Sequence, residues 1–221
     1  MIAFNIKAII FDMDGVITNT MPYHYNAWRR ALAKSAIRVS RYEVYKREGQ
    51  PGRETIREFL AEHGKALSQA EQSNILREKE RLFKKAVKAK FIKGSRGLLR
   101  SLKRRGFLIA VVTGTSRKEV KKILPCAIYK LFDAIITSDE VKNGKPDPEP
   151  FLKGIKNLGV AKNKAIVIEN APFGVLAAKK AGLFCIALET SLPRRFLKGA
   201  DLVFKSTLSL QKNVYFSLVS D

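Results

Sequence analysis

The sequence predicts an α/β protein: a parallel β-sheet covered on both faces by helices, with a helical segment inserted after the first strand. Three observations carry this expectation. Short apolar runs recur at 7–11, 107–112, 134–136, 165–168, 184–188 and 202–204. Amphipathic, helix-periodic segments separate them. The long stretch 20–93, between the first and second runs, has helical periodicity and no strand pattern.

Taken in chain order, the first run continues as AIIFDMDGV over 8–16 and stops at Asp12, with Asp14 two positions on and Gly15 after it. Segment 20–93 is expected to form a helical cap, leaving 1–19 and 94–221 as the core. Its linkers fall near 18–20 and 93–97, where Gly94 and Gly97 permit bending. Ser68 and Glu71 make a capping-box pattern ahead of a helix running to about Ala89. On that helix Ile75, Lys79, Leu82 and Phe83 share the inward stripe, and on the next Leu98, Leu99 and Leu102 do. Ser116 and Glu119 repeat the capping box after strand 107–112, so that helix should point free N–H groups and its positive end at the sheet edge, where a phosphate is favoured. In Gly144-Lys145-Pro146-Asp147-Pro148, Pro146 holds Lys145 extended, while Asp147 and Pro148 suit an N-cap and first helical position. Glu169 and Asn170 follow strand 165–168, and Pro172 with Gly174 opens a helix that ends at Gly182.

With 221 residues, 46% of them apolar, the chain can bury one sizeable domain and a smaller inserted one. No apolar stretch approaches the roughly 20 residues of a membrane span, and no basic region precedes the opening apolar run, so neither a membrane partner nor a secretion signal is expected. Cys126 and Cys185 sit among apolar residues and read as small core hydrophobes rather than a disulfide or metal pair, which points to the cytoplasm. The 42 Lys and Arg against 20 Asp and Glu give +22. That excess gathers in no tail or arm, and falls mostly on the solvent faces of the expected helices. A solvated surface is therefore preferred to a dedicated nucleic-acid surface, for which no stacking motif or zinc-finger spacing is present.

Asp12 and Asp14, at i and i+2 on extended chain, project to one side and can share one substrate. Asp12 would attack phosphorus, and Asp14 would protonate the leaving group and then activate water. A calcium loop is the alternative, but its acidic continuation is absent from 16–20. Thr113 and Gly114 suit non-bridging phosphoryl oxygens, or form an ordinary strand-to-helix turn. Lys145 can balance carboxylates and phosphoryl group, or stand as a solvated loop lysine. Glu169 and Asn170 suit magnesium, with Asn170 alternatively a helix cap. All four segments fall at carboxyl ends of strands or the helix starts that follow, where open parallel sheets bind ligands.

Asp12-Met13-Asp14-Gly15-Val16, Val112-Thr113-Gly114-Thr115, Gly144-Lys145-Pro146-Asp147-Pro148 and Ile168-Glu169-Asn170 resemble the four motifs of the haloacid dehalogenase superfamily. Segment 12–28 resembles its helical-cap branch of beta-phosphoglucomutases and sugar-phosphate phosphatases. The resemblance covers nearly the whole chain. It implies a Rossmann-like parallel-sheet core with an inserted α-helical cap, an aspartyl-phosphate at Asp12 and acid/base work by Asp14. It also implies a Mg2+ ion held by Asp12, the Asp14 carbonyl, Glu169 and Asn170. Asn170 stands where the family usually has Asp and supplies no negative charge, so weaker magnesium binding is expected. In the cap, Arg53 and Lys79 match residues that grip the substrate's phosphate or sugar, and His24 matches a hinge residue near the acid/base Asp. Taken alone, His24 reads as a packed histidine beside Trp28. The expected activity is magnesium-dependent hydrolysis of a small phosphorylated metabolite; a phosphohexomutase is second. A non-catalytic, basic nucleic-acid-binding scaffold ranks third, because the residues for the aspartyl-phosphate step are all present.

Overall fold

The protein is described here by a computed structural model covering residues 1–88 and 90–219. The chain opens with β1 (Ile2–Ile6) and β2 (Ala8–Phe11), then enters four helices: α1 (Met21–Ala33), α2 (Arg41–Tyr45), α3 (Gly52–Glu62) and α4 (Gln69–Ala86). Helix α5 (Ser95–Arg104) leads back to β3 (Leu108–Val112), followed by the short α6 (Arg117–Ile123) and α7 (Cys126–Tyr129). Next come β4 (Ala134–Ile136), α8 (Glu149–Leu158), β5 (Ala165–Glu169), α9 (Pro172–Lys180) and β6 (Phe184–Leu188). The chain closes with β7 (Leu202–Phe204), α10 (Thr207–Asn213) and β8 (Val214–Leu218).

Six strands form one sheet in the order β4-β3-β2-β5-β6-β7, every neighbouring pair parallel. Because side chains alternate across a strand, Ile9, Phe11, Ile109, Val111, Ile166 and Ile168 feed one core while Ala8, Ile10, Ala110, Val112 and Val167 feed the other. Covering both faces buries the central strands completely, which is why they read as unbroken apolar runs. The order reverses at β2, with β3 on one side and β5 on the other. Such a switch point leaves a crevice at the carboxyl ends of these strands.

The helical insert begins and ends at one place. Thr18 bridges Phe91 in antiparallel fashion, Ile92 N–H donates to Ile17 O at 2.9 Å, and Asn19 N–H donates to Lys90 O at 2.7 Å. Inside it, Trp28 of α1 meets Phe59 of α3 edge-on with centroids 5.4 Å apart. Helix α4 carries the expected capping box at Ser68 and Glu71. It stops at Ala86, where Val87 turns extended, and the Ala89 end expected for it lies outside the described residues.

Several local expectations are corrected. Cys185 is buried in β6, but Cys126 is exposed, because it opens the short α7 just after Pro125. The capping box at Ser116 does not form: the Ser116 hydroxyl donates to the Glu119 carboxylate at 3.2 Å instead of accepting from its backbone. Helix α6 spans only seven residues. Pro148, not Asp147, is the N-cap of α8, although Asp147 Oδ1 accepts from Glu149 N–H at 2.8 Å. Strands β1 and β8 carry no expectation from sequence. They form a separate two-stranded parallel sheet, packed through Phe4 on Phe184 (5.0 Å between centroids) and Phe216 on Phe107 (6.4 Å). No helix among the described residues is long and apolar enough to cross a membrane.

The β8 closure is expected to be thermodynamically substantial. Phe216→Ala should lower the urea-unfolding free energy by about 3–5 kcal/mol, since it leaves a cavity between Phe4 and Phe107.

Candidate active site

Asp12 follows β2, Thr113 follows β3 and Glu169 ends β5, so three adjacent strands deliver them to the switch-point crevice. Lys145 arrives from the loop between β4 and α8. Its ammonium donates to Asp12 Oδ1 at 2.6 Å, Glu169 Oε1 at 2.6 Å and Val112 O at 3.2 Å, and lies 4.9 Å from the Phe151 ring centroid. All three charged residues are buried. Burial alone would push the Lys145 amine down, but Asp12 and Glu169 raise it above the usual lysine value, so the lysine stays charged. Burial pushes the Asp12 carboxyl well up; Lys145 opposes this, while Glu169 and Asp14 add to it. Glu169 Oε2 also accepts from the Asn170 and Ala171 N–H groups at 2.7 and 3.1 Å. It fits there because residue 174 is glycine: a Cβ on Gly174 would lie 1.8 Å from Glu169 Oε1.

Asp14 is held by hydroxyls. Thr20 donates to Oδ1, and Thr113 and Thr115 donate to Oδ2 at 3.0 and 3.1 Å. His24 Nε2 lies 3.5 Å from Oδ1, an electrostatic contact too long for a good hydrogen bond. Burial would raise the Asp14 carboxyl, yet His24 and the hydroxyl donors bring it below its ordinary value. His24 stacks on Phe83 with centroids 4.1 Å apart, so packing and proximity to Asp14 are combined in one side chain. Burial and the Lys79 charge depress the imidazole, with Asp14 opposing.

Asn170 does not cap α9, whose N-cap is Ala171. Its Nδ2 donates to Ser191 Oγ at 2.7 Å and to the Asp14 carbonyl at 3.3 Å. In this cluster the buried Asp12 Oδ2 and Asn170 Oδ1 have no hydrogen-bond partner among the described residues. Acceptor-only oxygens in that position suit a hard cation. Among the described residues no group of three or more His, Cys, Asp or Glu side chains is arranged to hold a metal ion. An ion here would complete its shell from the Asn170 amide, backbone carbonyls and water.

The insert roofs this cluster. Lys46 O accepts from Phe173 N–H of α9 at 3.1 Å, and Tyr42 packs on Phe196 with centroids 4.4 Å apart. Glycines make the closest approaches: a Cβ on Gly114 would lie 2.8 Å from Gly49 Cα, and one on Gly49 would lie 2.3 Å from Lys145 Cδ. Beside the roof, between insert and sheet edge, is a cavity of about 610 Å³. His24, Arg53, Lys79, Gly114 and Thr115 line it; Asp12 and Lys145 do not. Lys79 lies over Trp28 and Phe83, 5.5 and 5.3 Å from their centroids, and among the described residues it has no ion-pair partner. Arg53 is exposed at the rim.

The structure thus brings Asp12, Asp14, Thr113, Lys145, Glu169 and Asn170 into one buried cluster, and His24, Arg53, Lys79 and Gly114 onto the adjoining cavity. The Thr113 hydroxyl, expected on phosphoryl oxygens, is committed here to Asp14. Sequence reasoning missed Glu48, Thr20, Thr115, Ser191 and the close approach of Gly49 to Gly114. Glu48 is a buried carboxylate on the roof loop. Burial pushes its pKa well up, as do Asp14, Asp12 and Glu169, with Lys145 opposing. Nothing marks it in the sequence, where it is one charge in a polar loop.

A model of the haloacid dehalogenase-like hydrolases matches residues 9–188, which includes every residue of the cluster. The chain belongs to the haloacid dehalogenase-like hydrolase family. It is 34% identical over 181 residues to a phosphorylated carbohydrates phosphatase of Thermotoga maritima, covering 80% of this chain and 82% of that protein. To a beta-phosphoglucomutase of Bacillus subtilis it is 32% identical over 210 residues, covering 92% and 91%. Among solved structures, a putative beta-phosphoglucomutase from Bacteroides vulgatus superposes with a TM-score of 0.85 at 36% identity, covering 96% of this chain and 88% of that one. The protein is therefore an enzyme of the haloacid dehalogenase superfamily, in its beta-phosphoglucomutase-like branch.

Glu48 offers a pH test of this hydrolase's roof. Its folded pKa is raised, so the folded protein keeps a proton that the unfolded chain releases above the ordinary glutamate range. Relative to Glu48→Gln, wild-type stability should decline as pH rises above the ordinary glutamate range, about 4.3. Parallel urea-unfolding curves for both proteins across that rise check this; equal slopes would contradict it.

Proposed function

We propose that this enzyme hydrolyses a small phosphorylated metabolite, a sugar or polyol phosphate, through an aspartyl-phosphate at Asp12. The observation that carries this is the Asp12-Lys145-Glu169 cluster buried at the switch point beneath a helical roof, next to a cavity bearing a cation with no protein ion pair, Lys79. In this function residues 20–93 act as a cap and 1–19 with 94–221 as the core, the paired segments at Thr18 and Phe91 serving as the hinge. Relatives named for phosphatase activity on phosphorylated carbohydrates support the substrate class.

The cap first opens to admit the ester, since Asp12 and Asp14 are sealed when it is closed. One oxygen of the Asp12 carboxylate attacks phosphorus; the ester P–O bond breaks and Asp14 gives its proton to the departing alkoxide. Asp14 then takes a proton from water, which attacks phosphorus and releases Asp12. At rest Asp14 is held below its ordinary value, the state of a base. The phosphoryl charge of a bound substrate raises it toward the acid the first step needs. Lys145 stays protonated throughout and balances Asp12 and Glu169. Lys79 and Arg53 hold anionic or hydroxyl groups of the substrate from the cap. Closure excludes bulk water from the cluster.

The orphaned oxygens Asp12 Oδ2 and Asn170 Oδ1 fit Mg2+, which they would hold together with the Asp14 carbonyl and with Glu169 alongside. When bound, it would neutralise charge on the phosphoryl oxygens and favour ionised Asp12. Asn170 brings no charge to this set, so the affinity should be modest.

A phosphohexomutase would use the same Asp12 and Asp14 with a sugar hydroxyl in place of water, and similarity to a beta-phosphoglucomutase keeps it as the second reading. Purified enzyme with Mg2+ should release inorganic phosphate from sugar and hexitol phosphates, and should not interconvert glucose 1-phosphate and glucose 6-phosphate when primed with the bisphosphate. Interconversion without release would establish the mutase instead. Asp12→Asn should abolish turnover while its circular dichroism and thermal transition stay near those of the wild type; retained turnover would rule out the Asp12 nucleophile.

A further inference from the structure

We propose that Glu48 is a specificity-determining residue whose carboxyl hydrogen-bonds a hydroxyl on the alcohol part of the ester, so that the preferred substrates are polyhydroxylated phosphomonoesters. This rests on the phosphatase function proposed above. Glu48 is 8% exposed and lines the 610 Å³ cavity. Among the described residues, its carboxylate accepts one hydrogen bond, from the neighbouring Gly49 N–H at 3.1 Å, and has no ion-pair partner. The carboxyl therefore has hydrogen-bonding capacity left for a ligand in the cavity. The cavity it faces is where that ligand lies.

Glu48 is held between two fixed neighbours. On one side Arg47 is locked: its Nε donates to Glu58 at 2.8 Å, Nη1 donates to Glu43 O at 2.7 Å, and Nη2 stands 2.5 Å from Glu62. Gln50 ties into the same group, donating to Glu58 at 2.6 Å. On the other side Gly49 is pressed against Gly114 and Lys145. The carboxyl is thus fixed at the boundary between the cavity and the catalytic carboxylates, close enough to be felt by Asp14 and Asp12. An ester reacting at Asp12 and extending into the cavity passes Glu48 with the carbons nearest its phosphate. A hydroxyl suits the carboxyl in either protonation state, because it both donates and accepts. An alkyl chain there leaves the carboxyl unsatisfied, the situation in which a polar site discriminates strongly.

The test compares glucitol 6-phosphate, hexyl phosphate and 4-nitrophenyl phosphate as substrates. Wild type should prefer glucitol 6-phosphate over hexyl phosphate in kcat/KM, and Glu48→Ala should narrow that preference about 10- to 100-fold, the effect of leaving one buried hydrogen-bonding partner unsatisfied. Glu48→Ser, which keeps the loop polar but withdraws the acceptor, carries the same expectation should the Ala variant not fold. Glu48→Gln, which keeps an acceptor, should narrow it less. A wild type that treats the two six-carbon esters alike, or variants that keep the wild-type preference, would overturn the proposal. Hydrolysis of 4-nitrophenyl phosphate but not glucitol 6-phosphate would overturn it while leaving the phosphatase function standing. Hydrolysis of none of the three would bring down the phosphatase function and this inference with it.

Discussion

Everything at the sheet edge is arranged around one buried ammonium. Lys145 joins Asp12, at the end of β2, to Glu169, at the end of β5, with 2.6 Å contacts to each. Neither carboxylate would tolerate burial beside the other without it, and an unpaired buried charge costs several kcal/mol. The lysine is in turn over-determined: Val112 O takes a third donor, Phe151 lies under the ammonium, and Gly49 of the cap closes against its stem. Electrostatic balance at the switch point and closure of the roof therefore share one side chain.

Closure itself depends on missing side chains. Gly49, Gly114 and Gly144 meet where cap and core loops converge; a Cβ at Gly144 would come within 2.2 Å of Pro51 Cδ, and one at Gly114 would strike the Gly49 backbone. Gly49 also holds a left-handed φ of 79°, which any other residue would adopt at a cost. These contacts bring the backbone of the insert's loop against the loops that follow β3 and β4. The Arg47-Glu58-Gln50 network keeps that loop in one shape, so that what docks is a fixed surface rather than a flexible strap.

The parts of this arrangement that could be read in the sequence are those that follow from local pattern. The six strands of the main sheet were legible as apolar runs, most plainly where both faces are buried, as in β2 and β5, and Asp12, Thr113 and Glu169 stand out as polar residues at the ends of β2, β3 and β5. Strands β1 and β8 were not, because their half-exposed patterns are short and they pair across the whole chain, Ile2 with Val214 through Ile6 with Leu218. Lys79 was legible through its position on an apolar stripe. Glu48 was not, because its burial comes from the docking of cap on core rather than from periodicity in its own segment. The pairing of Thr113 and Thr115 with Asp14 is likewise tertiary, and turns Thr113, an expected phosphate or turn residue, into a support for the Asp14 carboxyl.

The charge distribution has two scales. The formal net charge of +22 is spread over the surface, and at long range, beyond a Debye length of about 10 Å only at low salt, it draws anions toward the protein. At the centre the balance reverses: Asp12, Asp14, Glu48 and Glu169 face Lys145 and Lys79, so the buried acids outnumber the bases. Part of the excess is relieved by protons, as the raised pKa values of Asp12 and Glu48 record. The rest calls for donors from outside: a cation at the orphaned Asp12 and Asn170 oxygens, and hydroxyls at Glu48. The proposed ligand, a phosphorylated polyol accompanied by a divalent cation, would supply both, and the outer positive field would draw its phosphate toward the site. A surface so basic and a centre so acidic would thus act on one ligand at successive stages, attraction and then binding, and neither requires a nucleic-acid partner to explain it.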